Sequence, residues 1–436
     1  MNDTSFIIEP KREIPVAARS DVLVIGGGPA GFSAAINAAR QGCSVTLIEQ
    51  AGSIGGIATI GLMSHWTGST RGGFYEEIIE RSIDCFKEDD KVIGSWTTIN
   101  PEKLKTVLLE MIEEEGIDLR LYTFASGVVM ERDGISAVIT ESKSGRQAFI
   151  AKIVIDASGD GDVAARAGVP FHKGRETDGK MQPVTLMFKV AGVDMEKAVL
   201  PGAFEDNRKV PKGEIQTLGK QHIPYPAGHV LLYPSTLQGI VTVNMTNAID
   251  IDGTRAEDLT KAEITCRKQI DPIVKFLREF VPGFENCYVI SSASMMGVRE
   301  TRHFEGEYVL TEDDILNAKV FDDWAVTKAH FNFDVHNIKG AGLDDTGVQK
   351  KFPQGKPYTI PYRCLVPKKV DNLLLAGRNI SGTHMAHSNY RVMPICANIG
   401  QAAGIAAALC VKRGKNPRNL DVKALQDALA NQGVEP

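Results

Sequence analysis

Residues 21–49, DVLVIGGGPAGFSAAINAARQGCSVTLIE, decide the fold class of this chain. Residues 22–25 form a short apolar run, as a parallel strand buried on both faces would. A GxGxxG motif follows, then an alanine-rich stretch of helical character, and then a second apolar run that ends in Glu49. That carboxylate is placed to accept a hydrogen bond from a ribose 2′-OH and disfavours a 2′-phosphate. The order predicts a Rossmann-like βαβ unit that binds a dinucleotide.

Each glycine of the motif has its own expected role. Gly26 permits the tight turn, Gly28 lets the backbone approach a pyrophosphate, and Gly31 lets the helix pack closely on the strand. The pyrophosphate is expected at the helix N-terminus, at Pro29 and Ala30. Unpaired N–H groups and the helix dipole favour negative charge there.

Three further segments separate this chain from a plain nicotinamide-binding domain. Residues 50–59, QAGSIGGIAT, place a second glycine pair directly after the second strand. Residues 152–168, KIVIDASGDGDVAARAG, read as an apolar strand that runs into a polar turn, and residues 370–382, VDNLLLAGRNISG, read similarly. In this order, the segments resemble the FAD-dependent oxidoreductase family related to the flavoprotein subunits of succinate dehydrogenase and fumarate reductase. Residues 295–315 and 384–404 resemble a branch known mostly as oxidoreductases without an assigned substrate.

The resemblance implies FAD as the cofactor and an α/β fold of two parts. Residues 1–168 and 366–436 are expected to form a discontinuous Rossmann-like FAD-binding domain with a β-meander insertion, and residues 169–365 a second, α+β substrate or cap domain. In relatives, backbone near Gly127 or Val128 meets the adenine. The residues expected to bind the cofactor are Gly26, Gly28, Pro29, Ala30, Gly31, Glu49, Gln50, Gly55, Gly56, Ile57, Ala58, Thr59, Val128, Ala157, Ser158, Gly159, Gly377, Arg378, Gly400 and Gln401.

Small residues dominate the helix predicted after Pro394. Four of them recur at helical spacing and predict a flat face that packs on a strand or on the cofactor, namely Ala397, Gly400, Gly404 and Ala407. In related flavoproteins, such a helix points its N-terminus at the flavin pyrimidine ring. The partial positive charge of that helix end stabilises the negative charge of a reduced flavin.

Candidate catalytic residues precede this helix. His384, His387 and Arg391 are expected beside the flavin ring, on the loop that leads into the helix. Histidine exchanges protons near neutral pH, and the guanidinium fork of arginine fits a carboxylate. The alternative is that both histidines lie on a surface loop or bond to backbone. A metal site is not expected, because no carboxylate or third ligand lies near the HxxH pair in sequence.

The charged set at 299–303 and His65 each allow more than one interpretation. The charged set at 299–303 forms either a solvated, salt-bridged face or, through Arg299 or Arg302, a contact to an anionic substrate, as arginines do in the fumarate reductase relatives. His65 follows the second glycine pair, so it matches poorly the position of a histidine covalently linked to flavin.

Local patterns predict several helices and strands. Asn100 is expected to N-cap a helix that begins at Pro101, and Thr254 with Glu257 to form a capping box on a long helix that ends at Phe280. Turns at residues 133–134 and 144–145 predict the β-meander. Apolar runs between residues 182 and 298 predict a second sheet.

Composition limits the partners. The net charge is −5 without a long basic stripe, which argues against nucleic acid. Seven dispersed cysteines without a CxxC pair argue against a disulfide framework and a structural zinc. No apolar run reaches 18 residues and no signal-peptide pattern is present, so a cytoplasmic protein without a membrane span is expected. The sequence leaves the oligomeric state open.

The leading functional hypothesis is hydride transfer between flavin N5 and a small polar organic substrate. The chain contains no second GxGxxG motif and no redox CxxxxC, which argues against a pyridine-nucleotide disulfide oxidoreductase. Electrons then come from the substrate, from a protein partner or from NAD(P)H that binds transiently. The alternatives are a flavin monooxygenase-like enzyme and a non-catalytic flavin protein that binds or senses redox state.

Overall fold

The computed structural model describes residue 7 and residues 9–87, 96–343 and 355–435. Within these residues the helices are α1 (Pro29–Arg40), α2 (Phe74–Arg81), α3 (Pro101–Glu114), α4 (Asp162–Arg166), α5 (Ile215–His222), α6 (Ala256–Phe280), α7 (Glu312–Leu316), α8 (His384–Tyr390), α9 (Met393–Arg413) and α10 (Val422–Ala430). The strands are β1 (Val16–Ile25), β2 (Val45–Ile48), β3 (His65–Thr67), β4 (Cys85–Lys87), β5 (Trp96–Ile99), β6 (Asp118–Arg120), β7 (Phe124–Glu131), β8 (Gly134–Ser142), β9 (Gly145–Asp156), β10 (Phe171–Lys173), β11 (Phe188–Ala191), β12 (Lys209–Val210), β13 (Gly213–Glu214), β14 (Leu232–Pro234), β15 (Val241–Val243), β16 (Tyr288–Ser292), β17 (Arg302–Phe304), β18 (Trp324–Ala329), β19 (Tyr358–Pro361) and β20 (Leu373–Leu375).

The largest sheet confirms the Rossmann-like prediction. Its strands run in the order β6-β2-β1-β9-β8-β7, and β20 also pairs with β9. Strands β6, β2, β1, β9 and β20 are mutually parallel, and α1 connects β1 to β2. Strand β1 has β2 on one side and β9 on the other, so the winding direction reverses there. Ligands of open α/β sheets bind at the carboxyl ends of the strands at such a reversal.

Strand β9 takes part both in the meander and in the parallel part of the large sheet. Its first half pairs antiparallel with β8, and β8 pairs antiparallel with β7, which gives the predicted meander with turns at residues 133–134 and 144–145. Its last residues, Val154 to Asp156, pair in parallel with β20. Because the first half of β9 also pairs with residues 16–20, β1 begins earlier than the apolar run at residues 22–25 predicts. The meander therefore continues directly into the cofactor-binding sheet.

The helix starts were predicted with mixed success. Asn100 caps α3 as expected, since its side chain accepts the N–H of Glu102 at 3.0 Å. The capping box predicted at Thr254 and Glu257 is wrong, because α6 has Arg255 as its N-cap and no side-chain cap. The Thr254 hydroxyl is engaged elsewhere, donating to Asp252 Oδ1 at 2.6 Å and accepting from the Lys173 ammonium at 2.7 Å.

Two hydrophobic cores stabilise the chain. The first contains the large sheet with α1, α3 and α9. The second consists of side chains from residues 184–293 together with Leu62, around the antiparallel sheet β14-β15-β11-β16 and helices α5 and α6. All apolar runs predicted for a second sheet contribute strands to it.

The membership of the two hydrophobic cores differs from the expected boundary of the cap domain. The sequence assigned all of residues 169–365 to the cap, yet buried side chains from Phe304 to Val366 belong to the first core. The physical reason is that β18 pairs with β19 and packs on α9, rather than joining the cap sheet.

Helix α9 forms the centre of the first core. In the described ranges it is the one helix with the length and apolarity to cross a membrane, and its most apolar stretch is buried inside the protein. Such burial is what the core helix of a globular domain requires.

Candidate active site

A cavity of about 1130 Å³ opens where β1 and β9 end. It extends from the glycine turn of the first core to Met187 of the second core and to the buried side chains of Leu231 and Tyr233. Ordinary ligand clefts measure roughly 300–1,000 Å³. The cavity therefore has room for a large cofactor together with a small second ligand.

The glycine turn forms one end of this cavity. Gly26 has φ +97°, and a Cβ there would lie 2.4 Å from the Ala157 carbonyl oxygen. A Cβ on Gly31 would lie 1.7 Å from the Gly26 oxygen, so this glycine allows helix and turn to touch. A Cβ on Gly28 would meet nothing within 4 Å, and Gly28, Pro29 and Ala30 line the cavity. Open space over Gly28, at the N-terminus of α1, fits a pyrophosphate.

Glu49 is held rigidly beside this turn. Its Oε2 accepts the N–H of Gly27 and its Oε1 the N–H of Ala51, both at 2.7 Å. Burial raises the pKa of Glu49, and the backbone N–H groups that it accepts oppose the rise. The fixed carboxylate lines the cavity, where it fits the hydroxyls of a ribose.

The second glycine pair divides into lining and supporting residues. Gly55 and Gly56 have φ +99° and +52°, and the Gly55 N–H donates to the Gly27 oxygen at 2.7 Å. Gln50, Gly56 and Ile57 line the cavity. The other three predicted residues, Gly55, Ala58 and Thr59, are not among the lining residues and shape the turn instead.

The turns after β9 and β20 complete this end of the cavity. Ala157, Ser158, Gly159, Gly377 and Arg378, all expected to bind the cofactor, line it. The Arg378 guanidinium donates from Nη2 to Asp160 Oδ1 at 2.8 Å. Its buried Nη1 has no hydrogen-bond partner among the described residues. An unpaired cationic donor at this position fits an oxygen of an anionic dinucleotide.

Three cofactor-binding predictions need correction. Val128 pairs with Val138 in the meander, and neither it nor Gly127 lines the cavity, whose wall there consists of residues 123–125. Gly400 packs on α1, since a Cβ would lie 2.0 Å from the Ala30 oxygen. Gln401 is also absent from the cavity wall, because its Oε1 accepts the N–H of Phe74 at 3.2 Å. The small face of α9 therefore packs on a helix, not on a strand or the cofactor.

His384 and His387 also lie elsewhere than expected. They lie on α8 rather than on a loop, because the Thr383 side chain caps that helix by accepting the N–H of Ala386. Both are buried, and neither lines the cavity. The His384 ring bonds to Glu300, and burial lowers the pKa of His387 well below its ordinary value.

Arg391 and Arg299 do line the cavity. Arg391 donates from Nη2 to the carbonyl oxygen and the Oδ2 of Asp334 at 2.8 and 3.0 Å. Arg299 is 8% exposed and donates to the Pro183 oxygen and the Thr185 hydroxyl. Burial lowers the pKa of Arg299 to about 10, which leaves it charged at neutral pH. The solvated-face interpretation of the 299–303 set is wrong for Arg299. Arg302 does not line the cavity, but it pairs with Asp162, which does.

Asp334 and His336 lie between these arginines, and the sequence predicted neither of them. His336 Nε2 is 3.4 Å from Asp334 Oδ2. Burial and the nearby Arg299 lower the pKa of His336 to about 4. Burial alone would raise the pKa of Asp334, but His336 and the two arginines hold it below its ordinary value. No sequence motif marks either residue, since both lie between β18 and β19 outside any helix or strand.

An aromatic wall forms part of the cavity lining. The His65 ring stacks on Tyr233, with centroids 3.9 Å apart and planes 3° apart, and Trp96 lies 4.6 Å from His65. Burial lowers the pKa of His65 to about 3, so the ring is neutral. Its buried Nδ1 has no partner within the described part of the chain. Trp96 Nε1 is likewise buried without a partner among the described residues, so the wall provides a flat, largely apolar surface with two unpaired polar atoms.

Comparison with known proteins connects this geometry to a family. A family model described as FAD dependent oxidoreductase matches residues 21–429. The tRNA uridine 5-carboxymethylaminomethyl modification enzyme MnmG of Dichelobacter nodosus is 26% identical over 460 positions, covering 95% of this chain and 66% of that protein. One component of the ferredoxin:CoB-CoM heterodisulfide reductase of Methanosarcina acetivorans is 51% identical over 55 residues, which are 12% of this chain and 7% of that component. The chain thus spans just under two thirds of the first relative and a small part of the second.

Solved structures share the general architecture. A geranylgeranyl bacteriochlorophyll reductase-like protein from Thermoplasma acidophilum gives a TM-score of 0.49 at 13% identity, covering 95% of this chain and 83% of that one. The p-nitrophenol 4-monooxygenase PnpA from Pseudomonas putida DLL-E4 gives 0.48 at 11% identity, covering 96% and 84%. Likeness at this level assigns no reaction and no substrate.

The cavity fits a dinucleotide through the open space over Gly28, the Glu49 carboxylate and the unpaired Arg378 donor. With the match over residues 21–429, these features identify FAD as the cofactor, and the chain belongs to the FAD-dependent oxidoreductase family.

Proposed function

We propose that this protein transfers a hydride between FAD and a small organic anion that binds between Arg299 and Arg391. The observation that carries the proposal is a charge imbalance. Within the described residues, two buried or nearly buried guanidinium groups in the cavity wall, those of Arg299 and Arg391, share the nearby carboxylate of Asp334. Because buried charges require partners, a substrate carboxylate or a comparable anion would balance the second arginine.

FAD, when bound, supplies a ring that accepts or donates a hydride. The protein's part is to orient the substrate and to move the accompanying proton. Arg391 is fixed by two hydrogen bonds to Asp334, and its buried Nε lacks a partner in the described ranges, so that donor remains for the substrate. A fixed guanidinium loses little entropy on binding a carboxylate.

His336 is the residue that we propose for proton transfer, in place of His384 or His387. With its pKa lowered to about 4, its ring is neutral at pH 7 and accepts a proton. Asp334 lies against the same ring and would stabilise the imidazolium that forms. His65 faces the cavity as well, but no acidic group is seen to pair with it among the described residues.

The experiment is anaerobic mixing of FAD-loaded protein with sets of small carboxylates, followed by flavin absorbance. A substrate of the proposed class bleaches the flavin. Arg391→Lys and Arg299→Lys should each weaken its binding about tenfold or more, or about 1.4 kcal/mol, because a lysine cannot reproduce the fork. His336→Asn should slow bleaching with less effect on binding. Arg363→Lys is the matched control, since Arg363 pairs with Asp323 at the surface.

Two results would contradict the proposal. One is a substrate that bleaches the flavin equally fast in the wild type and in Arg391→Lys. The other is a flavin that responds only to NAD(P)H and then consumes oxygen, which would favour a monooxygenase-like reaction.

A further inference from the structure

A buried cluster of histidines and one glutamate lies apart from the cavity, between β17 and α8. It consists of Glu300, His303, His384 and His387, which are between 1% and 5% exposed. None of the four lines the cavity. The proposed reaction therefore makes no use of them, although buried ionisable groups are costly to keep. We call this set the histidine–glutamate cluster.

One carboxylate oxygen is the centre of the cluster. Glu300 Oε1 lies 2.7 Å from His303 Nε2 and 2.6 Å from His384 Nδ1. A ligating atom of His387 lies within 4.8 Å of those of Glu300 and His303. The His303 and His387 rings meet edge to face, with centroids 5.0 Å apart. Glu300, His303 and His387 thus bring ligand atoms into one small volume, and His384 bonds to the same Glu300 oxygen.

The outer hydrogen bonds of the cluster are those typical of metal ligands. His303 Nδ1 lies 3.1 Å from the Gly382 carbonyl oxygen, which only accepts, so Nδ1 carries a proton. Its Nε2 faces Glu300 inside the cluster, where a bound ion would take the place of the Nε2 proton. The second oxygen of Glu300 accepts the N–H of Gln182 at 2.9 Å. Metal-ligating histidines almost always donate their other N–H to a carbonyl or carboxylate, and ligating carboxylates are likewise hydrogen-bonded.

His387 provides a second, independent observation. Its ring is 2% exposed, and its buried Nδ1 has no hydrogen-bond partner among the residues that the structure describes. Leaving such a buried atom unsatisfied is destabilising. The hydrogen bonds from His303 and His384 to Glu300 do not relieve that cost. An ion bound within the cluster would satisfy His387 together with the other three side chains.

We propose that Glu300, His303, His384 and His387 form a structural Zn²⁺ site. Zinc prefers four nitrogen or carboxylate ligands at about 2.0–2.2 Å in a tetrahedron, which places ligand atoms about 3.4 Å apart. The ligand atoms of Glu300, His303 and His387 are separated by 2.7 Å to at most 4.8 Å, which brackets that value, and His384 would complete the set from its position 2.6 Å from the Glu300 oxygen. All four positions come from side chains, as in structural rather than catalytic zinc sites.

The ion would connect β17 to α8. Arg391 directly follows α8, at its C-terminal end, and lines the cavity. The proposed zinc therefore holds the segment that presents this arginine, although it touches neither substrate nor flavin.

Metal analysis of the FAD-loaded protein, purified without a histidine tag, tests the proposal. We expect one zinc per chain by mass spectrometry. A chelator should remove it and lower the midpoint of thermal unfolding, and added Zn²⁺ should restore both. Replacement by Co²⁺ should give the visible d–d bands of a four-coordinate ion.

Variants separate the ion from the hydrogen bonds. His387→Ala and Glu300→Gln should bind Zn²⁺ at least about tenfold more weakly while their flavin absorbance stays at the wild-type level. His222→Ala removes an exposed histidine and should keep the metal. If His387→Ala does not fold, the cobalt spectrum of the wild type decides. Metal at background level, with no change in thermal midpoint or spectrum on adding Zn²⁺ or Co²⁺, would overturn the proposal.

Discussion

The three glycines of the GxGxxG motif have different surroundings and therefore different structural roles. Gly26 and Gly31 touch backbone directly, at the Ala157 carbonyl and at Gly26 itself. Gly28 faces open space and adopts φ −72°, which any residue tolerates. Its reason for being glycine therefore lies in the bound cofactor rather than in the protein alone.

This difference predicts opposite behaviour for two alanine variants. Gly28→Ala should leave the stability of the apoprotein nearly unchanged but weaken FAD binding about tenfold or more, or about 1.4 kcal/mol. Gly31→Ala should destabilise the apoprotein itself, because a Cβ 1.7 Å from a backbone oxygen forces α1 away from the turn. Denaturant unfolding without FAD and a flavin-fluorescence titration measure the two effects. Equal loss of apoprotein stability in both variants would show that Gly28 also has a packing role.

His65 predicts how stability depends on pH. Its pKa is lowered from 6.5 to about 3 by burial, so the unfolded chain binds this proton more readily than the folded protein does. Stability from this group is complete above pH 6.5 and falls as the pH falls towards 3. At pH 5 this group lowers the free energy of unfolding by about 2 kcal/mol relative to its value well above pH 6.5. Between pH 7 and 5, His65→Phe should reduce the fall in unfolding free energy by about this amount.

Tyr233→Phe is the matched control for that measurement. It alters the same ring stack, but Tyr233 does not titrate near neutral pH, because burial raises its pKa to about 12. The control should keep the wild-type pH dependence. An unchanged slope in His65→Phe would mean that His65 is protonated in the folded protein.

At the scale of elements, periodicity predicted much of the fold. The βαβ unit, the meander, the start of α3 and the end of α6 at Phe280 are all confirmed. What periodicity could not supply is the partner of each element. The spacing of small residues on α9 is equally compatible with a strand, a cofactor or a helix, and only the fold selects α1.

The contact between α1 and α9 predicts the effect of Gly400→Ala. A Cβ at this position would lie 2.0 Å from the Ala30 oxygen, and no side-chain rotation relieves a clash with backbone. The better helix propensity of alanine contributes only about 1 kcal/mol, whereas overpacking costs typically 1–3 kcal/mol or more. We expect a lower thermal midpoint in the presence and in the absence of FAD.

Lys412→Ala, at an exposed position of the same helix, is the control and should change the midpoint little. If Gly400→Ala instead weakened FAD binding and left the stability of the apoprotein unchanged, the result would support the expectation from sequence that Gly400 contacts the cofactor.

At the scale of the whole molecule, the cavity is a product of long-range contacts. The cofactor end was predictable because its turns each follow a recognisable strand, at Gly26, Ala157 and Gly377. The region around Arg299 and Arg391 was predicted only through those two arginines, since Tyr233 and residues 334–336 come from distant parts of the chain without a shared motif. His384 and His387 stood out in sequence, yet the capped helix α8 turns them towards Glu300, 84 residues from His384.

Because both cores contribute to the cavity wall, FAD should stabilise both. Met187 of the second core and Tyr233 of its sheet line the same cavity as Gly28. The Ser64 hydroxyl also bonds to the Thr242 hydroxyl, at 3.0 Å, which joins the region of the glycine turns to the second sheet. A ligand at 100 times its dissociation constant adds about 2.7 kcal/mol to the stability of every segment whose unfolding destroys the site. In hydrogen exchange, peptides from α3 and from α6 should therefore gain protection together when FAD is added.

The control is Gly28→Ala at the same FAD concentration, which should gain less protection in both helices. Protection confined to α3 would mean that the second core opens without disturbing the cofactor, and that the wall formed by Tyr233 contributes little to holding it. Protection of both helices would instead mean that the second core closes over the flavin when the cofactor binds. Substrate access to Arg299 and Arg391 would then depend on local opening of the second core rather than on release of FAD.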